Sequence, residues 1–139
     1  MNILIIDGQG GQLGAQLVKE ISAQFQEIDL TVIGTNTAAT TAMLKAGAKK
    51  AATGENPVIV ACRKADVIIG PVAIVIADSL LGEITEKMAL AVARANAARI
   101  LIPVNKCENL VAGVSNLNMS TLIGDVVTKL RSIMDRHST

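Results

Sequence analysis

Asp7-Gly8-Gln9-Gly10-Gly11-Gln12-Leu13-Gly14 places four glycines within seven positions, directly behind the aliphatic run Ile3 to Ile6. Glycine lets a turn reach backbone angles closed to other residues, and it leaves no side chain between the backbone and an approaching ligand. An amphipathic segment follows without a break, so the order is strand, tight turn, helix. The free N–H groups and positive dipole end of such a helix make a place for phosphate. In the spacing G-x-x-G-x-x-G, Gly8 makes the turn, Gly11 admits a pyrophosphate and Gly14 lets the helix pack on the strand. Residues 7–14 are therefore expected to hold the phosphates of a nucleotide or dinucleotide. The alternative is a tight strand-to-helix connection and nothing more, for which one glycine would suffice.

A second group with chemical potential is Asn105-Lys106-Cys107-Glu108, behind the aliphatic run Arg99 to Val104. Lys106 suits neutralisation of a phosphate and Asn105 the ordering of its loop. In GTPases a strand followed by N-K-x-D reads guanine. Here Glu108 stands in the place of the aspartate, and the P-loop pattern is missing because Ala15 and Gln16 follow Gly14, which argues against a GTPase. Cys107 is either a nucleophile activated by Lys106 or an inert thiol; the single histidine, His137, is near the C-terminus and poorly placed to assist it. Thr35-Asn36 follows the second aliphatic run, and Asn36 suits a hydrogen bond to a ribose or a base. Glu55 suits a ribose hydroxyl or a base's role, while Asn56 beside it reads as a helix cap. Gly70-Pro71 is either a backbone wall against the ligand or a strand terminator. Asp78, Ser79 and Glu83 interrupt an apolar stretch, and Gly82 favours a surface turn there over a site. If the protein is an enzyme, Lys106 is the phosphate or oxyanion anchor and Asp7, Glu55 or Glu83 the base. No His, Cys, Asp and Glu set has metal-ligand spacing, so no dedicated metal site is expected.

The elements that must position these groups are legible in the periodicity. Strands are expected at residues 2–7, 28–34, 49–53, 66–70 and 99–104, with a sixth at 109–114. Helices are expected at 11–26, where Leu13, Leu17, Ile21 and Phe25 recur every four residues, at 38–46 with Thr37 as cap, from Asn56-Pro57 to Lys64, from Thr85 to Ala97, and from Ser120 to Arg136. Residues 72–82 fit either a buried helix or a further strand. Strictly alternating strands and helices predict a single three-layer, Rossmann-like doubly wound α/β domain over residues 1–139, with a mainly parallel sheet of five to six strands. Ligands of such sheets sit at the carboxyl ends of the strands, where every group named above falls.

Composition narrows the function further. Among 139 residues, 13 basic and 12 acidic side chains leave a formal charge of +1, and there is one Phe with no Trp or Tyr. No basic patch and no base-stacking platform point to nucleic acid. The most apolar window, Val67 to Ala77, is too short to span a bilayer, so no membrane partner is expected. Two separated cysteines and no signal peptide suggest a cytoplasmic setting. The aliphatic excess of Val72 to Leu81, or the face of the last helix, is expected to be buried in a homodimer.

Residues 1–18 resemble the opening of extended short-chain dehydrogenases, in particular their sugar-nucleotide reductases. That resemblance implies NAD or NADP as cofactor at the opening loop; with the strand-end candidates above, the residues expected around it are Asp7, Gly8, Gln9, Gly10, Gly11, Gln12, Leu13, Gly14, Thr35, Asn36, Gly70, Pro71 and Asn105. The catalytic tyrosine of that superfamily has no counterpart, and Gly34-Thr35-Asn36 stands where an NAD binder carries its ribose-holding acid. The whole chain is similar to a family of small bacterial proteins of unknown function with an expected Rossmann-like fold. The blocks that carry this are TVIGTNTAATTAMLKAGA (Thr31 to Ala48), ATGEN (Ala52 to Asn56), ADVIIGP (Ala65 to Pro71), LGEIT (Leu81 to Thr85) and ILIPVNKC (Ile100 to Cys107). This second resemblance implies fold and ligand class and brings no known activity. The expected protein is a nucleotide or dinucleotide binder, with a small enzyme or a non-catalytic assembly unit as alternatives.

Overall fold

The structure, a computed structural model, describes residues 1–104, 109–115 and 118–138. Each strand forms where the sequence is aliphatic and short: β1 (Asn2–Asp7), β2 (Asp29–Gly34), β3 (Lys50–Thr53), β4 (Val67–Pro71) and β5 (Ala98–Ile102). All pairings are parallel, in the order β3-β2-β1-β4-β5. β1 is central, and its Ile5 is in register with Val32 on one side and Ile69 on the other. The direction of winding reverses between β1 and β4. Doubly wound sheets open a crevice at such a switch point, outside the carboxyl ends of the strands.

Side chains of β1 alternate between two cores. Ile3 and Ile5 face α1 (Gln12–Gln24), α2 (Thr37–Lys45) and α5 (Met119–His137). Leu4 and Ile6 face α3 (Glu55–Cys62) and α4 (Glu86–Arg94). All four are at most 2% exposed, which is why the run shows no polar alternation. Each such burial stabilises the fold by roughly 1.5–3 kcal/mol. The three-layer α/β architecture is as expected and consistent with a Rossmann-like fold. In α1 the stripe Leu13, Leu17, Val18 and Ile21 is buried. Phe25 follows the helix, and the Arg131 guanidinium of α5 lies 4.7 Å from its ring centroid.

Several local expectations are corrected. The sheet has five strands, and Asn109–Val114 forms none. The cap of α2 is Asn36, whose side chain accepts from Ala39 N–H, rather than Thr37. Asn118 caps α5, accepting from Thr121 N–H, rather than Ser120. α3 begins two residues early, at Glu55 after Gly54, so Asn56 lies inside the first turn instead of capping it. Thr85 caps α4 as expected. Residues 72–82 are neither a long helix nor a strand: a single 3-10 turn, Val72–Val75, leads into consecutive turns. Ala73, Ile74 and Leu80 of this run enter the second core, with Val75 packed against it. Of its large apolar residues only Leu81 is turned outward. The surplus that suggested a homodimer is thus largely consumed by the chain's own core.

Candidate functional site

Among the expected site residues, Asp7 is the most constrained. It ends β1, is 2% exposed, and donates nothing: its Oδ1 accepts the Gly8 N–H at 2.8 Å and its Oδ2 the Gly14 N–H at 2.7 Å. One carboxylate thereby closes the turn and satisfies a donor in the first turn of α1. Burial pushes its pKa above the ordinary 3.8, the two N–H groups oppose that, and the charge of Glu83 adds to the rise. With both oxygens facing N–H groups of its own turn, Asp7 is a poor general base.

The glycines divide by role. Gly11 adopts φ 74, and a side chain there would begin 2.6 Å from the Ala39 Cα of α2. Its bareness lets α2 approach the loop; the close contact is with protein, not with open space. Gly14 meets Met43 of α2 at 2.6 Å and the Asp7 Cβ at 3.0 Å, so it seats α1 against β1 as the spacing suggested. Gly10 is exposed and would meet nothing within 4 Å. It is the position where a ligand has free access to backbone. Gly8 is covered: a side chain there would meet Thr35 Oγ1, Leu80 Cδ1 and Glu83 Oε1 within 2.9 Å. Leu80, 2% exposed, fills the space above the end of β1.

The remaining donors of the loop can be counted. Gly11 N–H bonds Gly8 O, Ala15 N–H bonds Gly11 O, and Gln9 N–H donates to Glu83. Among the described residues, the N–H groups of Gly10, Gln12 and Leu13 have no partner. The Leu13 side chain is in the core, so only its backbone faces this region. Gly11 caps α1 without a side chain and no acid lies within its first turn; Asp7 Oδ2 takes the Gly14 N–H and offsets part of the positive end, while the N–H groups of Gln12 and Leu13 stay available to an anion.

Glu83 completes the group and was undervalued by sequence. Its Oε1 accepts from Thr35 Oγ1 at 2.5 Å, Asn36 Nδ2 at 2.8 Å and Gln9 N–H at 2.9 Å. Burial works to raise its pKa, and these three hydrogen bonds outweigh that, so the net direction is downward. Asn36 also donates to Gln9 O at 3.0 Å. Thr35, Asn36, Gln9 and Glu83 thus form one cluster across the carboxyl ends of β1 and β2. Asp78 and Ser79 are separate: Asp78 is exposed, and the Ser79 hydroxyl donates to Ala73 O.

Other expected residues are not brought into this cluster. Glu55 opens α3 at the end of β3, two strands from β1, or about 10 Å. Gly70 and Pro71 are the last residues of β4; a side chain at Gly70 would strike Ile6 O at 2.5 Å, so its bareness admits β1. Asn105, Lys106, Cys107 and Glu108 lie outside the described residues. Burial raises the Cys62 thiol pKa to about 11, as befits a core cysteine. Among the described residues no group of three or more His, Cys, Asp or Glu could hold a metal, and no helix is long and apolar enough to cross a membrane. A groove of about 380 Å³ beside α3 reaches the amino ends of the strands at Asn2, Asp29 and Lys50, and lacks the buried acid of the glycine loop.

No curated protein and no solved structure matches the chain. The family model described as Domain of unknown function (DUF3842) matches residues 2–135, nearly the full length, and the chain belongs to that family.

Proposed function

We propose that this protein binds a nucleotide or dinucleotide of the NAD(P) type, with the phosphates on the loop Gly8 to Gly14. The observation that carries this reading is the set of unpartnered N–H groups at Gly10, Gln12 and Leu13, beside a helix start with no side-chain cap and a glycine with open space above it. Backbone donors at a helix N-terminus suit an anion. The polar cluster at Thr35 and Asn36 lies where the adjoining sugar of a doubly wound domain's ligand would rest. Binding without turnover is favoured over catalysis. Both oxygens of Asp7 are engaged by N–H groups of its own turn, which leaves it poorly placed to take a substrate proton, and Glu83 is held below the ordinary carboxylate range by three donors, which makes it a weak base.

Thermal-shift measurements against NAD, NADP, ATP, GTP, FMN and sugar nucleotides test the ligand class, because a bound ligand stabilises the folded state. The expected result is a rise in Tm with at least one dinucleotide, lost in Gly10→Val. No shift with any of these would refute the reading. Turnover that disappears in Lys106→Ala while binding persists would instead establish a small enzyme.

A further inference from the structure

The acid that an NAD binder carries after its second strand is absent here, yet a carboxylate occupies that region. Glu83 reaches it from the loop behind β4, across 48 residues to Thr35 and 47 to Asn36. We propose that Glu83 reads the ribose of the bound nucleotide, and that the site therefore takes a sugar with free 2′- and 3′-hydroxyls and rejects a 2′-phosphate. This rests on the nucleotide reading above and selects NAD-type ligands over NADP-type ones.

The division of labour between the two oxygens supports it. Oε1 accepts three hydrogen bonds and fixes the carboxylate's orientation. Oε2 has no partner among the described residues. It is an acceptor held in place beside the phosphate loop, and hydroxyls are donors that match it. A 2′-phosphate offers acceptors only and brings a second negative charge against Glu83. Among the described residues no lysine or arginine contacts this cluster to offset that charge; its other charged member is Asp7, also acidic.

The loop is built to hold Glu83 there. Asp78 N–H bonds Ile84 O at 2.7 Å and Ile84 N–H bonds Ser79 O at 3.2 Å, closing the segment on itself. Leu80 anchors it above Gly8. Asp78, Leu80 and Leu81 all adopt positive φ, at 64°, 55° and 56°. Non-glycine residues persist in that region only where their surroundings over-determine them, and such places cluster at ligand clamps.

Titration calorimetry of the full chain with NAD and with NADP, for wild type and Glu83→Gln, tests the proposal. Glutamine keeps a carbonyl oxygen for the three donors and removes the charge. NAD is expected to bind wild type about tenfold or more tightly than NADP, and in Glu83→Gln the two affinities should approach within about threefold of each other. Equal or tighter binding of NADP by wild type would overturn the assignment without any variant. So would a preference for NAD unchanged in Glu83→Gln, with melting by circular dichroism showing that the variant is folded. In both cases nucleotide binding itself would stand. Binding of neither dinucleotide would overturn the assignment of Glu83 to an NAD-type ribose, and the nucleotide reading itself falls only if the thermal-shift panel also finds no ligand.

Discussion

Two strand-to-helix turns of this domain are entered by glycine without a side-chain cap, at Gly11 before α1 and at Gly54 before α3. In sequence both look like ligand loops, DGQGG and TGEN. Their surroundings differ. Gly11 is pressed against the Ala39 backbone, its turn is tied by the buried Asp7, and Glu83 crosses from another loop to hold its neighbour Gln9. Around Gly54 there is open space within 4 Å, and its N–H is spent on Gly34 O. Its helix also carries its own acid, Glu55, in the first turn, which already complements the dipole. A bare glycine therefore marks a backbone need at both turns. Only at the first do an uncapped helix end, unpartnered donors and polar side chains from three loops coincide.

The sharpest way to separate the turns is to add one methyl group to each. Gly11→Ala combines a left-handed backbone with a collision against helix backbone that cannot move alone. The expected loss is roughly 2–5 kcal/mol, from about 1–2 for the conformation and 1–3 for overpacking. That is a large fraction of an ordinary domain's stability of about 5–15 kcal/mol. Gly54→Ala meets no atoms, but φ 103 with ψ −174 is a region nearly closed to other residues. Its loss is expected at about 1–3 kcal/mol. Urea denaturation ranks the two, and a larger loss at Gly54 would invert the comparison.

A buried acid at only one turn predicts a specific pH dependence. Asp7 has a folded pKa raised above its ordinary 3.8. Its favourable contribution is present below that value and is lost as pH rises through the folded pKa. Asp7→Asn removes the titration and turns an amide NH₂ toward one of two N–H donors, at a cost of about 1–3 kcal/mol. Wild type should therefore exceed Asp7→Asn by most at acidic pH, with the difference shrinking as pH rises. Glu83 runs the other way: its contribution is present above its ordinary 4.5 and lost as pH falls through its lowered pKa. Urea titrations of both proteins at pH 5 and pH 8 measure the trend; a difference constant with pH would show that Asp7 is not perturbed by burial.

A third contrast concerns ligand alone. Gly10→Val adds bulk where nothing lies within 4 Å and φ is not positive. Stability should change by less than about 0.5 kcal/mol, while nucleotide affinity falls about tenfold or more, or 1.4 kcal/mol. Undiminished binding, by thermal shift or calorimetry, would move the phosphates away from this loop.

What could be read from sequence and what could not follows from the range of the forces involved. β1, β2 and β4 are buried on both faces, so their aliphatic runs announce them. The stripe of α1 is equally plain. Helix caps slipped by one or two residues at Asn36 and Asn118 because each has another cap-capable residue close by, Thr37 and Ser120, and propensity alone does not choose between neighbours. Asn109–Val114 has apolar residues but joins no ladder of the described sheet, and a strand needs a ladder more than it needs hydropathy. Glu83 was hardest to see. Its three donors lie 47, 48 and 74 residues away, so no local pattern marks it, and Gly82 beside it gives an ordinary surface-turn signal. The glycine spacing marked where a ligand loop was to be expected, and it gave no sign that α2 packs closest at Gly11.

The smallest expected effect is at Glu55, and it tests the comparison from its quiet side. By sequence Glu55 was a possible partner for a ribose, and Glu55 and Glu83 were both possible bases. In the fold Glu55 stands at the edge strand's end, beyond β2 from the glycine loop, and no hydrogen bond joins it to Thr35, Asn36 or Gln9. Its work there is that of an acid in the first turn of α3, worth about 0.3–1 kcal/mol through the helix dipole. Glu55→Gln should therefore lower stability by no more than that and leave nucleotide affinity within about twofold, or 0.4 kcal/mol. Calorimetry on Glu55→Gln beside Glu83→Gln makes the two carboxylates each other's control. If Glu55→Gln weakens binding as much as Glu83→Gln does, the ligand must extend across β2 to the end of β3. The second glycine turn would then belong to the site after all.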